Sequence, residues 1–223
     1  IMKIYANYGF NDFILCLGYK GDVIKAYFYN YEMLNSDFTI DIGKKQIETY
    51  SKHSEESWKV TLVDTGDDSL KGSRLKQIEK YIDGQTFMVT YGDGVADLNI
   101  SDLIAAHNKF GKIATVTGVK PPSRFGELQI NQDSVCEFKE KPQASKGIIN
   151  GGFFVFNRGI FDYLSLDKNC DLERGPLSKL ANDSQLSLYN HSGQWACMDT
   201  YRDMVYLNRL WQDNQAFWKV WDK

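Results

Sequence analysis

The run Thr86-Phe87-Met88-Val89-Thr90-Tyr91 leads straight into Gly92-Asp93-Gly94, a carboxylate flanked by glycines. Far downstream a second aspartate stands in Cys197-Met198-Asp199-Thr200, between a short apolar run and a helix-like segment. A near-continuous apolar strand fits a sheet covered on both faces. Ligands of open α/β sheets bind just beyond the carboxyl ends of such strands, which is where Asp93 falls. Glycines on either side let backbone and phosphate approach closely. Two carboxylates in such corners suit a hard metal ion that bridges phosphates, so the chemistry indicated is phosphoryl or nucleotidyl transfer. Structural roles fit the same residues. Gly-Asp-Gly also makes a tight strand-to-helix turn with Asp as its cap. Thr200 and Asp203 have capping-box spacing, which puts Asp199 just before a positive helix end.

A second constellation follows. Pro121-Pro122-Ser123-Arg124-Phe125-Gly126-Glu127 joins a stiff turn to an arginine, and Glu137-Phe138-Lys139-Glu140-Lys141-Pro142 closes a strand on charge. Asn150-Gly151-Gly152 comes next, and glycine inside a strand marks close approach of backbone or ligand. Asn150 and Glu140 suit sugar hydroxyls, whereas Arg124 and Lys141 suit a phosphate; a solvated strand edge is the competing reading of the charge cluster. Lys71-Gly72-Ser73-Arg74 opens a helix that could hold a phosphate or a base, or present its cations to solvent. His107 shares a helix face with Leu103 and Ile104 and reads as a packed core residue, while His53 has no partner in its polar stretch. With no GxSxG, no GxxxxGK and no Cys-His nucleophile pair, covalent catalysis has no support.

The elements that must position these groups alternate. A strand at 13–18 precedes a helix capped by Asp22, with Val23, Ile24, Tyr27, Phe28 and Tyr31 on one face. Residues 36–63 carry a pair of strands, the second at 59–63, and a turn-rich loop then opens a helix with Leu75, Ile78 and Ile82 inward. The strand to Asp93, a helix over 101–110 and a strand over 113–119 complete a βαβ pattern with a largely parallel sheet. Strands without helices follow at 127–130, 134–139 and 148–156, an antiparallel portion. Helices near Ile160 and Leu177, a strand near Trp195 and a helix from Thr200 to Trp211 end the chain. Without repeats or linkers, residues 1–223 read as one domain. Ile1, Ile4, Tyr5 and Tyr8 recur at helical spacing before Gly9, so the chain opens mid-helix and reads as a fragment that lacks a first strand.

A chain of 223 residues can bury a substantial core, and its 14% aromatic and 25% charged residues exclude disorder. The formal charge of −3 offers no global attraction for nucleic acid or anionic membrane, so a polyanionic ligand must be held locally. No transmembrane-length run or signal peptide is visible. The cysteines Cys16, Cys136, Cys170 and Cys197 form no CxxC pair or zinc spacing, and most lie in apolar strand-like runs, as expected of reduced core cysteine in a cytoplasmic protein.

Taken in order, Val63-Asp64-Thr65-Gly66, Thr90-Tyr91-Gly92-Asp93-Gly94-Val95-Ala96-Asp97, Arg124-Phe125-Gly126, Glu140-Lys141-Pro142, Ile149 to Phe154, Met198-Asp199-Thr200 and the tryptophan-rich tail resemble the glucose-1-phosphate cytidylyltransferases. These form a branch of the sugar-phosphate nucleotidyltransferase family, and the likeness spans essentially the whole chain. The resemblance implies an α/β nucleotide-diphospho-sugar transferase fold: a Rossmann-like, mixed and mainly parallel sheet flanked by helices, with an antiparallel sugar-binding portion. It implies conversion of CTP and α-D-glucose 1-phosphate into CDP-glucose and pyrophosphate, in nucleotide-sugar biosynthesis serving O-antigen and lipopolysaccharide. By position, Asp93 and Asp199 match magnesium ligands; Ser69, Arg74 and Gly92 match nucleotide-contacting positions; Gly126, Glu140, Lys141 and Asn150 match the sugar-phosphate pocket, where Arg124 would join Lys141. The family's glycine-rich triphosphate loop has no counterpart in this sequence. A cytoplasmic homo-oligomer is expected. Two rivals are a metal-dependent glycosyltransferase, with Asp97 as its second carboxylate, and a non-catalytic sugar-nucleotide-binding subunit.

Overall fold

The computed structural model describes residues 1–50, 57–121, 127–139 and 147–221. Within the span read as one domain, the chain packs into two compact units. The smaller comprises Gly9–Asp83 and Leu164–Pro176, and the larger comprises Ile1–Tyr8, Gly84–Tyr163 and Leu177–Lys223. The first element, α1 (Met2–Ala6), belongs to the larger unit and buries Ile4 and Tyr5, as their helical spacing predicts.

The smaller unit runs β1 (Asp12–Leu17), α2 (Gly21–Tyr29), α3 (Tyr31–Asn35), β2 (Phe38–Asp41), β3 (Gln46–Thr49), β4 (Lys59–Asp64) and α4 (Lys71–Gln77). β1 and β4 pair in parallel, from Asp12 opposite Lys59 to Leu17 opposite Asp64. Two expectations change here. Asp22 does not cap α2: Lys20, at φ +56°, is the cap residue and Asp22 sits in the first turn, where its charge favours the helix dipole. The helix also stops before Tyr31, at Asn30, whose backbone N–H and Nδ2 both donate to Ala26 O, at 3.0 and 2.8 Å. The described residues of 36–63 hold three strands rather than two, β2 and β3 forming their own antiparallel hairpin. Leu75, Ile78 and Ile82 are buried as expected, although α4 tightens into a 3-10 turn at Glu79–Tyr81.

The larger unit contributes β5 (Thr86–Thr90), β6 (Gly94–Ala96), α5 (Ile100–Phe110), β7 (Ala114–Val119), β8 (Glu127–Asn131), β9 (Ser134–Lys139), β10 (Ile149–Asn157), α6 (Ser178–Asn182), β11 (Leu186–Asn190), β12 (Trp195–Cys197) and α7 (Tyr201–Gln212). Its main sheet is ordered β11-β7-β10-β5. β11 runs parallel to β7, and β10 runs antiparallel to both of its neighbours. β10 follows the antiparallel hairpin β8–β9 rather than a crossover helix, which makes the sheet mixed. The strand covered on both faces is β10, not β5: Phe153, Phe154, Val155 and Phe156 are fully buried, whereas β5 is half-buried. Each such phenylalanine contributes about 1.5–3 kcal/mol of burial. β11 has no strand in the sequence reading, although Leu186, Ser187, Leu188 and Tyr189 alternate apolar and polar.

Asn99 caps α5 by accepting from the Asp102 N–H, and Gly111 ends it in the left-handed region at φ +63°. The helix turns Ile100, Leu103 and His107 inward. His107 is a core residue, as expected, with Nδ1 2.8 Å from Thr115 Oγ1. The cysteines are all free, but none is fully buried, and Cys136 is exposed. Burial still pushes the Cys16 thiol up to about 11, against the opposing pull of Arg74. No helix among the described residues is long and apolar enough to cross a membrane.

Candidate active site

The two aspartates singled out at the start are brought together by strand pairing. β6 and β12 form an antiparallel ribbon with Trp195 opposite Ala96, Ala196 opposite Val95 and Cys197 opposite Gly94. The pairing continues one step further, where the Met198 N–H donates to Asp93 O at 2.9 Å. Asp93 enters the ribbon as Asp199 leaves it, at the same end. Both side chains are exposed. Among the described residues the Asp93 carboxylate accepts no hydrogen bond, and Asp199 Oδ2 lies 3.1 Å from the Cys197 Sγ donor. The capping box of α7 is formed: Thr200 Oγ1 accepts from the Asp203 N–H at 3.2 Å, and Asp203 Oδ2 accepts from the Thr200 N–H at 2.9 Å. The same Asp203 oxygen takes the Asp199 N–H at 3.2 Å, which fixes the backbone beneath the second aspartate. Asp199 therefore has both features read from its sequence, a strand end and a helix start.

This donor set suits a hard cation. No cluster of three or more His, Cys, Asp or Glu side chains is present among the described residues. Two exposed carboxylates are oxygen ligands of the kind a hard divalent cation takes.

Asn150, Gly151 and Gly152 form the wall beside this corner. β7 opposes Asn150 with Gly118 and Phe154 with Val116, so β10 uses Gly151, Gly152 and Phe153 where β7 uses only Thr117. The extra length bulges. Gly152 adopts φ +78°, a conformation that favours glycine, and a Cβ there would crowd the Tyr91 ring at 3.1 Å. The polar groups of the bulge are tied down: Asn150 Oδ1 accepts from the Gly152 N–H at 2.9 Å, Tyr91 N–H donates to Gly152 O at 2.9 Å, and Trp195 Nε1 donates to Gly151 O at 2.8 Å. The close approach signalled by the glycines is therefore made by Tyr91, next to Gly92, and by Trp195, on the strand that delivers Asp199. Sequence reading assigned no role to Tyr91 or Trp195, because nothing local marks an indole that bonds a backbone carbonyl. Asn150 is exposed, with its Oδ1 turned back onto the bulge.

Ser69 and Arg74 lie in the smaller unit, where the guanidinium has a scaffolding task. Arg74 Nε donates to Ser69 O at 2.8 Å, and its terminal nitrogens donate to Leu17 O at 3.0 Å, Thr65 Oγ1 at 2.8 Å and Asp67 O at 3.1 Å. It thereby holds the loop between β4 and α4, including Ser69, in one conformation. The expected phosphate site at the start of α4 is closed: Ser73 is buried and its N–H donates to Cys170 O at 3.1 Å, while Lys71 pairs with Glu173. Arg74→Lys, which keeps the charge but loses the fork, is expected to lower stability by about 1–3 kcal/mol in chemical denaturation. An unchanged midpoint and slope would remove the scaffolding role.

Arg124, Gly126, Glu140 and Lys141 lie outside the described residues, as does His53. Asp97, the second carboxylate a glycosyltransferase would need, is committed elsewhere: its Oδ1 accepts from the Gln194 N–H at 2.7 Å and stands 2.9 Å from His191 Nε2.

A family model described as nucleotidyl transferase matches residues 44–214. The chain belongs to the nucleotidyl transferase family. It is 47% identical over 223 residues to the glucose-1-phosphate cytidylyltransferase of Salmonella typhimurium, an alignment covering 100% of this chain and 86% of that protein. It is 44% identical over 221 residues to the probable glucose-1-phosphate cytidylyltransferase of Bacillus subtilis, covering 99% of this chain and 86% of the relative. Among solved structures, HddC from Yersinia pseudotuberculosis superposes with a TM-score of 0.60 over 92% of this chain and 80% of that one. At 20% identity that likeness speaks for the fold alone.

Proposed function

We propose that the protein is a sugar-phosphate nucleotidyltransferase that converts CTP and α-D-glucose 1-phosphate into CDP-glucose and pyrophosphate. The observation that carries this reading is the pair Asp93 and Asp199 at one end of the β6–β12 ribbon, in a chain whose full length aligns with glucose-1-phosphate cytidylyltransferases. An oxygen of the sugar phosphate attacks the α-phosphorus of CTP in line. One P–O bond forms, the bond to the bridging α–β oxygen breaks, and pyrophosphate leaves with that electron pair. The attacking oxygen is already anionic, so the site needs no general base and works by positioning and charge neutralisation. Asp93 and Asp199 would hold Mg2+, which when bound supplies positive charge against the reacting phosphates. Asn150 Nδ2 and Glu140 orient sugar hydroxyls, Gly126 lets the sugar approach, and Lys141 with Arg124 holds the sugar phosphate. Ser69, Arg74 and Gly92 would each contact the nucleotide, as the resemblance implies.

The glycosyltransferase alternative loses support because Asp97 already serves His191 and Gln194. A cytoplasmic homo-oligomer is part of the reading, and exposed Tyr201, Val205, Tyr206 and Trp211 on α7 support its oligomeric part. The net charge of −3 argues against a nucleic-acid partner. The test is pyrophosphate release by the full-length protein, with each nucleoside triphosphate offered against glucose 1-phosphate and mannose 1-phosphate. CTP with glucose 1-phosphate should give the highest kcat/KM. Release of a free nucleoside diphosphate, or product binding without turnover, would overturn the proposal.

A further inference from the structure

We propose that Asp97, His191 and Gln194 form a latch that sets the register of β12, and through it the position of Asp199 against Asp93. These are positioning residues, and the inference rests on the two-aspartate reading above. The ribbon they close is short, with three residue pairs between β6 and β12 and one further hydrogen bond from the Met198 N–H to Asp93 O. A two-stranded ribbon of that size has little register preference of its own. A slip of one residue would carry Asp199 about 3.3 Å along the strand and turn its side chain to the other face. Something outside the ribbon must therefore hold it.

The latch lies at the end opposite the aspartates. Asp97 follows Ala96, the last residue of β6, and Gln194 precedes Trp195, the first of β12. Asp97 N–H donates to Gln194 O at 3.2 Å, and Asp97 Oδ1 takes the Gln194 N–H back at 2.7 Å. His191 Nε2 stands 2.9 Å from the same carboxylate oxygen, with an imidazole only 8% exposed. His191 N–H in turn donates to Gly118 O at 2.9 Å, anchoring the turn to β7 of the main sheet. The connection thus runs from the sheet, through His191 and Asp97, into the ribbon. Gly193 makes it possible, since a Cβ there would overlap Asp97 Oδ1 and stand 2.8 Å from His191 Cε1. A side chain at 193 must displace the carboxylate or the turn that faces it.

Gly193→Ala and His191→Ala separate positioning from ligation, because neither touches a proposed metal ligand. Binding of Mn2+ alone to the full-length protein is measured by electron paramagnetic resonance, with melting temperature as the check on folding. Each variant is expected to weaken Mn2+ about ten- to a hundredfold, as for other residues that orient metal ligands, while KM for glucose 1-phosphate at saturating metal stays at the wild-type value. Asp97→Asn keeps an acceptor for the Gln194 N–H and should fall between wild type and Gly193→Ala, and it replaces either variant that does not fold. Wild-type Mn2+ affinity in folded Gly193→Ala, with Asp199→Asn weakened, overturns the latch and leaves the aspartate pair standing. Undiminished affinity in Asp199→Asn overturns both.

Discussion

Asp199→Asn and Asp93→Asn each lower pyrophosphate release from CTP and glucose 1-phosphate by at least about a hundredfold, the scale on which removal of a single charge-stabilising group acts in other enzymes. The amide is nearly isosteric but carries no charge, and it is a poorer ligand for a hard cation. Both side chains are exposed, so the substitutions should leave stability within about 0.5 kcal/mol of wild type. The backbone that places them survives the change: the Met198 N–H to Asp93 O bond and the Asp203 contact to the Asp199 N–H involve neither carboxylate. The loss should therefore appear in kcat and in the Mg2+ dependence while the melting temperature holds. Near-normal magnesium-dependent rates in either variant would remove that residue from the site.

Lys141→Ala should raise KM for glucose 1-phosphate by about ten- to a hundredfold and change KM for CTP far less. A charge-assisted hydrogen bond contributes roughly 1.5–3 kcal/mol, which converts to that factor. The motif Glu140-Lys141-Pro142 motivates the choice, with proline stiffening the chain just after the cation. Arginine at 141 would be a useful companion, since it keeps the charge but not the point geometry of an ammonium. Steady-state kinetics with each substrate varied in turn decides the matter. Equal weakening for both substrates would put Lys141 in the wrong subsite.

Much of the framework was legible in the residues. The helical faces of α1, α4 and α5, the core role of His107 and the capping box of α7 follow from spacing within one element, because the interactions that stabilise them are local. The failures have physical causes that spacing does not carry. Asp22 matched a cap by type, but α2 starts two residues earlier than that cap would place it, after a left-handed Lys20. Thr86–Thr90 looked like the doubly covered strand, yet that place belongs to β10, because coverage depends on which strands and helices pack around each one.

The sequence by itself determined that two aspartates stand at strand ends, that Gly151 and Gly152 interrupt a strand, and that Asp199 precedes a capped helix. Each of these needs only a few neighbouring residues. Tertiary structure alone decided that Asp93 and Asp199 share one ribbon end, that Trp195 and Tyr91 hold the bulge beside Asn150, and that Arg74 is committed to the carbonyls of its own loop. It also joined Asp97 to His191, which stand 94 residues apart. Those relations depend on strand register across distant parts of the chain. The side-chain period of a strand permits several registers, and packing against the rest of the sheet selects one.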